Sequence, residues 1–203
     1  MAIGLEAYDD AVLRFHVNKG FNLKTWNSAV ERLRFHGFRI KTYLLFKPPF
    51  MSEGDALSHS IRWIKEVSHL SDEVSINPMN IQKRTIVDRL HRSREYRPPW
   101  LWSLVEMIRE SHETISSGDS RVIVHPTAGG KIRGAHNCGS CDKDVVAAIE
   151  RYSVSSDLDE FSNIDCSCKS IWRDEIRSDL ALPAQFGTGL SRRGNPQRLL
   201  RAP

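Results

Sequence analysis

Four short runs rich in β-branched and apolar residues recur along the chain: AIGLEA (2–7), FRIKTYLLF (38–46), EVSIN (73–77) and RVIVH (121–125). Stretches whose apolar residues repeat at helical spacing lie between them. A strand that gives way to a helix each time cannot reach the next strand through a tight turn. The chain is thereby committed to crossover connections and to a parallel sheet, with right-handed βαβ units expected. The fold class read from this order is α/β.

The helical stretches have recognisable ends. The first opens behind Tyr8-Asp9-Asp10 and closes near Lys19-Gly20; the second runs from about Lys24, with Trp26, Val30 and Leu33 on one face and Gly37 as its stop. Leu57, Ile61, Ile64 and Val67 share the face of a third. Ile86, Val87 and Leu90 suggest a short helix, and Leu101, Leu104, Val105 and Ile108 a stronger one behind Pro98-Pro99. The first strand starts the chain without an obvious neighbour. Parallel sheets tolerate bare edges poorly, so we expect this edge to meet a partner or further sequence upstream.

At 203 residues the chain is long enough for one buried core with an appendage. No apolar run approaches the roughly 20 residues of a membrane span. MAIGLEAYDD has no basic stretch leading into an apolar core, so neither a signal nor a transit peptide is expected there. A cytoplasmic protein without a membrane partner is the expectation. The net charge of +4 comes from the end: from Ala181 onward there are four arginines and no acid, and a basic, disordered tail over 181–203 is expected.

All four cysteines fall in one segment, Cys138 and Cys141 as CxxC and Cys166 and Cys168 as CxC, with 24 residues between the pairs. Two close thiolate pairs suit a tetrahedral four-cysteine zinc site. The same four could hold an iron–sulfur cluster, or act as a redox pair, or form disulfides, the last disfavoured in a reducing compartment. His136 is a candidate replacement ligand or a group facing a substrate. We expect residues 126–180 to form a small metal-binding module, with a short helix from about Lys143 to Tyr152.

The stretch 76–102 starts at the carboxyl end of a predicted parallel strand, where α/β folds place ligands. Asn77, Asn80 and Gln82 offer amides there. From Lys83 to Arg97 six cations, among them Arg89, Arg92 and Arg94, stand against Asp88 and Glu95, with Tyr96, Trp100 and Trp102 adjacent. That combination suits the phosphates and bases of RNA, against the plainer alternative of a solvated helix face with two core tryptophans. Lys47 and Glu53 flank Pro48-Pro49 after the second strand and form a weaker candidate cofactor site.

The stretches GLEAYDDAVLRFHVNKGF, KTYLLFKPPFMSEGDA, VSINPMNIQKRTIVDRLHRSREYRPPWLW, RGAHNCGSCD and CSCKSIW resemble, in this order, the radical SAM enzymes of archaeosine synthesis (RaSEA), of the elongator- and methylthiotransferase-like radical SAM group. The resemblance implies a partial (β/α) barrel in which a [4Fe-4S] cluster splits S-adenosylmethionine. The resulting radical cleaves a carbon–nitrogen bond of a lysine adduct on a modified guanine in the tRNA D-loop. It further implies an archaeal setting and a partnership with the lysine-transferring subunit of archaeosine synthase. By position it makes Glu6, Lys47, Glu53 and Asn77 cofactor-side residues, and it places Asn80 and Gln82 toward substrate or cofactor, beside the Arg89, Arg92 and Arg94 surface for tRNA. Cys138, Cys141, Cys166 and Cys168 match the family's C-terminal cysteine module.

The cluster motif CxxxCxxC is absent from this sequence, and residues 1–125 resemble only the second half of the barrel. We therefore expect an incomplete part of the enzyme, unable by itself to cleave S-adenosylmethionine and completed by an N-terminal half elsewhere. A zinc-stabilised, catalytically inactive tRNA- or RNA-binding protein is the alternative. Another enzyme of the same group acting on a different base is a third reading, disfavoured by NPMNIQ and YRPPWLW.

Overall fold

A computed structural model of the protein describes residues 1–116 and 120–181. Strands β1 (Ala2–Glu6), β2 (Lys41–Phe46), β3 (Glu73–Pro78) and β4 (Arg121–Val124) form one parallel sheet in the order β1-β2-β3-β4. Neighbours in the sheet are thus neighbours in sequence, and all four carboxyl ends lie on one side. Along β2 the alternation is regular: Thr42, Leu44 and Phe46 are buried, while Lys41, Tyr43 and Leu45 are half-buried.

The helices are α1 (Asp10–Val12), α2 (Leu23–Phe35), α3 (Glu53–Ser68), α4 (Ile86–Arg92), α5 (Leu101–Ser116), α6 (Asp142–Ser155) and α7 (Cys168–Ala181). Helix α3 packs on α5 and α7, and α6 packs on β4 and α5. One continuous core joins Leu44, Phe46, Trp63, Ile76 and Trp102 to Cys141, Val145, Ile149, Cys168 and Trp172, so the cysteine segment and the sheet share it. A satellite cluster of Ile81, Val87 and Tyr96 lies under α4. Among the described residues no helix is long and apolar enough to cross a membrane.

The structure departs from the sequence reading at several ends. The single helix expected over about 10–19 is one turn of α1 that widens into a π-helical turn, Leu13–Val17, closed by Asn18 in the left-handed region with Lys19 N–H donating to Leu13 O. Strand β2 begins at Lys41 rather than Phe38, because Asp72 takes the Ile40 N–H (2.6 Å) before the ladder starts. Helix α3 begins four residues before Leu57, where the Ser52 hydroxyl caps the Asp55 N–H. Helix α7, beginning inside the CxC, is an element the periodicity does not announce. The basic tail expected over 181–203 lies, beyond Ala181, outside the described residues.

Candidate functional site

The loops leaving β1 and β2 are unusually contorted. Glu6, Lys47 and Phe50 all have left-handed backbones (φ 76°, 57° and 65°), and the π turn lies between the two strands. Such conformations persist where the surroundings enforce them, often at sites of function. Glu6 pairs with Lys19 (3.0 Å), and a Cβ at Gly4 would come within 2.7 Å of the Glu6 carboxylate. His16 is tied to the Pro49 carbonyl at 2.8 Å through Nδ1.

The left-handed turn at Lys47 lets residue 53 return to it. Lys47 Nζ donates to Glu53 Oε2 at 2.7 Å, and both side chains are withdrawn from solvent. The other Glu53 oxygen accepts the Trp100 N–H (2.9 Å), and the Tyr96 hydroxyl donates to the Lys47 carbonyl (2.8 Å). Burial raises the Tyr96 pKa well above its ordinary value, with the Glu53 charge adding to it, so the phenol stays a donor.

Lys47, Glu53 and Tyr96 line a cavity of about 500 Å³, within the usual range for a small-molecule site, together with Arg94, Arg97, His136 and Glu175. Arg97 lies 3.8 Å over the Trp100 ring and donates to the carbonyls of Pro98 and His136. Burial lowers its pKa, partly offset by Glu53 and Glu175, yet a guanidinium remains charged at any working pH. Burial also lowers the His136 pKa. The neutral ring donates from Nδ1 to the Gly134 carbonyl (2.8 Å), which leaves Nε2 as an acceptor.

The sequence-derived candidates divide by position. Lys47 and Glu53 meet in the cavity wall, and Arg94 lines its rim. Glu6 lies at the end of the edge strand β1, paired with Lys19. Asn77 is half-buried near the end of β3, opposite Leu45 of β2. Asn80 and Gln82 bond to each other outside the cavity lining. Arg89 is exposed, and Arg92 binds Asp88 at 2.9 Å. Asp88 also accepts from Arg133 (2.8 Å) and from the Arg84 N–H, which ties α4 to the 127–135 loop and holds its pKa at about 2. Arg133, Glu175 and Asp179 are not singled out by the sequence, since each acts on a partner far along the chain.

The four cysteine Sγ atoms converge, all lying within 4.8 Å of one another. Cys138–Cys166 and Cys141–Cys168 are 3.7 Å apart and Cys138–Cys141 4.0 Å. A single tetrahedral ion with bonds of about 2.3 Å puts its sulfurs about 3.8 Å apart, so the four thiols fit one ion such as zinc. All four are free thiols. In a [4Fe-4S] cluster each thiolate sits on its own iron and the set is spread apart, which this convergence does not suit.

Local hydrogen bonds shape the cysteine loops. Asp142, opening α6, accepts the N–H groups of Asn137 and Gly139, and Gly139 takes the left-handed turn between the first two ligands. Asn137 Nδ2 points at Cys141 Sγ (3.4 Å) and Trp102 Nε1 at Cys168 Sγ (3.2 Å), donors that steady thiolates on a metal. Backbone N–H groups of Cys141 and Ser140 draw the exposed Cys138 thiol down to about 6, while burial pushes Cys141 and Cys168 up.

A protein from Methanosarcina acetivorans is 35% identical over 173 residues, 85% of this chain and 49% of that protein; one from Thermococcus kodakarensis is 35% identical over 181 residues, 89% of this chain and 55% of that protein. Both are named archaeosine synthase subunit beta. This chain is similar to archaeosine synthase subunit beta. An uncharacterized protein of Methanocaldococcus jannaschii is 30% identical over 180 residues, 87% of this chain and 48% of that protein. The chain thus spans about half the length of the curated relatives it matches. No family model matches it. The similarity to archaeosine synthase subunit beta spans 85–89% of this chain and so takes in parts of both the sheet and the cysteine segment.

Proposed function

We propose that this chain works in tRNA modification as part of an archaeosine synthase subunit beta, in which the cavity at the carboxyl ends of the strands faces a modified guanine of the tRNA D-loop. The 35% identity over 85–89% of the chain carries this reading. The unbroken β1-β2-β3-β4 order supports a sector of a (β/α) barrel, where neighbouring strands follow in sequence and sites collect at the carboxyl ends.

The chemistry proposed is radical cleavage of a lysine adduct, with S-adenosylmethionine as the radical source once a [4Fe-4S] cluster reduces it. The cysteines of this chain do not fit that cluster, so its ligands belong to sequence outside these 203 residues, and the lysine-transferring subunit acts before this step. Here Lys47, Glu53 and Arg97 supply fixed charge beside the substrate, and Tyr96 holds the Lys47 turn. The tRNA rests on α4 and the 127–135 loop, where Lys83, Arg84, Arg89, Arg94 and Lys131 are exposed.

Deleting the gene from its host and analysing tRNA nucleosides by mass spectrometry tests the assignment. Archaeosine should vanish and the lysine adduct accumulate; an unchanged archaeosine level rejects the reading. A non-catalytic, zinc-stabilised RNA-binding protein is favoured by one observation, the clustering of all four cysteine Sγ atoms within 4.8 Å at a spacing that fits a single ion. It predicts tRNA binding without loss of archaeosine on deletion. Replacing Arg89, Arg92 and Arg94 by alanine should weaken tRNA binding and flatten its salt dependence under either reading, because fewer counterions are released.

A further inference from the structure

Helix α7 has little apolar surface with which to hold itself in place. Among its described side chains Trp172 is buried, Ile176 is half-buried against the core and Ile171 is exposed. Yet Cys168, Trp172, Glu175 and Asp179 follow at spacings of four, three and four, which puts them on one stripe. Each member of that stripe has a specific partner elsewhere in the fold. Cys168 is a metal-ligand candidate, Trp172 Nε1 donates to Ser103 Oγ (2.8 Å), Glu175 accepts from Trp100 Nε1 (2.8 Å), and Asp179 accepts the Gly54 N–H (3.1 Å).

The second cysteine arm reaches the same place. Next to Cys138, Asn137 accepts the Trp102 N–H through Oδ1 (3.2 Å), and the His136 carbonyl holds Arg97 (2.8 Å). The 136–142 arm therefore ends on the start of α5, and α7 spans from there to the first turn of α3. The two turns are joined by the 2.9 Å hydrogen bond from the Trp100 N–H, just before α5, to Glu53 in the cavity wall. Helix α2 and strands β1 and β2 carry none of these contacts.

We infer that the ion held by Cys138, Cys141, Cys166 and Cys168 is a latch for the cavity: it fixes α7 and the 136–142 loop across the first turns of α3 and α5. Withdrawing it opens the cavity while the sheet and α2 stay folded. The latch is independent of what the cavity binds and of any role in tRNA modification. Cys138 is exposed, which gives a chelator access to the ion.

Hydrogen exchange followed by mass spectrometry tests this on the zinc-loaded chain before and after treatment with a high-affinity zinc chelator. Exchange should accelerate at least tenfold in residues 52–57, 97–104 and 168–181, and stay unchanged in 23–46. Acceleration confined to 136–142 and 164–168 would overturn the latch in favour of a local staple. Acceleration throughout the chain would overturn it in favour of a metal needed by the whole fold. A Glu175→Ala, Asp179→Ala double variant with its zinc still bound should reproduce the faster exchange at 52–57. Full protection there would show that α7 does not carry the effect. These readouts concern backbone protection alone, so they stand apart from the fate of archaeosine in the deletion strain.

Discussion

Helices α2 and α7 are nearly equal in length, 13 and 14 residues, and are held by opposite means. Helix α2 is locally specified. Asn22 caps it by accepting the Thr25 N–H, Trp26 and Val30 bury one face, and Gly37 turns the chain away in the left-handed region. Helix α7 depends on partners 69, 75 and 125 residues away and on a cysteine at its first position. The scaffold side of the sheet is thus written in short-range signals, and the cavity side in long-range polar contacts that must all be present together.

The most severe way to break the cavity side is to strand one member of its buried ion pair. Lys47→Met should cost about 3–5 kcal/mol in urea unfolding, because Glu53 would keep a buried charge without its cation. Adding Glu53→Leu should recover part of the loss. A loss well under 1 kcal/mol for the single variant would mean that the pair is solvated. Next in size, Asn137→Ala should weaken zinc binding about 10–100-fold in a chelator competition, through the donor lost at Cys141.

Smaller effects sharpen the contrast between the two helices. Asn22→Ala removes a cap and should cost about 1 kcal/mol with or without zinc. Trp172→Phe removes one buried hydrogen bond and should cost about 1 kcal/mol with zinc bound and less without it. Equal costs for Trp172→Phe in both forms would place α7 outside the control of the metal.

The mildest test is a change of shape in an acid titration. Asp88 has its pKa lowered from 3.8 to about 2, so its contribution is complete above pH 4 and is lost as the pH falls toward 2. Asp88→Asn should flatten stability against pH in that window. An unaltered acid limb would show that the Arg133 and Arg84 contacts do not hold the carboxylate.

What the sequence revealed follows the same division. All four strands, α2 and the cysteine centre were legible, because apolar alternation, caps and ligand spacing are local. The apolar face of α3 is legible from Leu57 on, but its first turn, from Glu53, is stabilised by Ser52 and Asp179 rather than by apolar spacing. From the residues alone, Lys47 and Glu53 stand out just as neighbours of two prolines, and the family resemblance adds that they lie on the cofactor side. The left-handed turn that joins them is invisible in a sequence with lysine, not glycine, at its pivot. Helix α7 was illegible because half of its stripe, Glu175 and Asp179, binds by hydrogen bonds to partners 75 and 125 residues away rather than by apolar packing.

The bond between Gly54 and Asp179 also sets a clock. Its two ends are 125 residues apart, so at about 5–20 residues per second the ribosome delivers Asp179 roughly 6–25 s after Gly54. Strands β1 to β3 can pair during that interval, while the first turn of α3 lacks the carboxylate that will cap it. The nascent chain therefore acquires its cavity last, after the scaffold on which it rests.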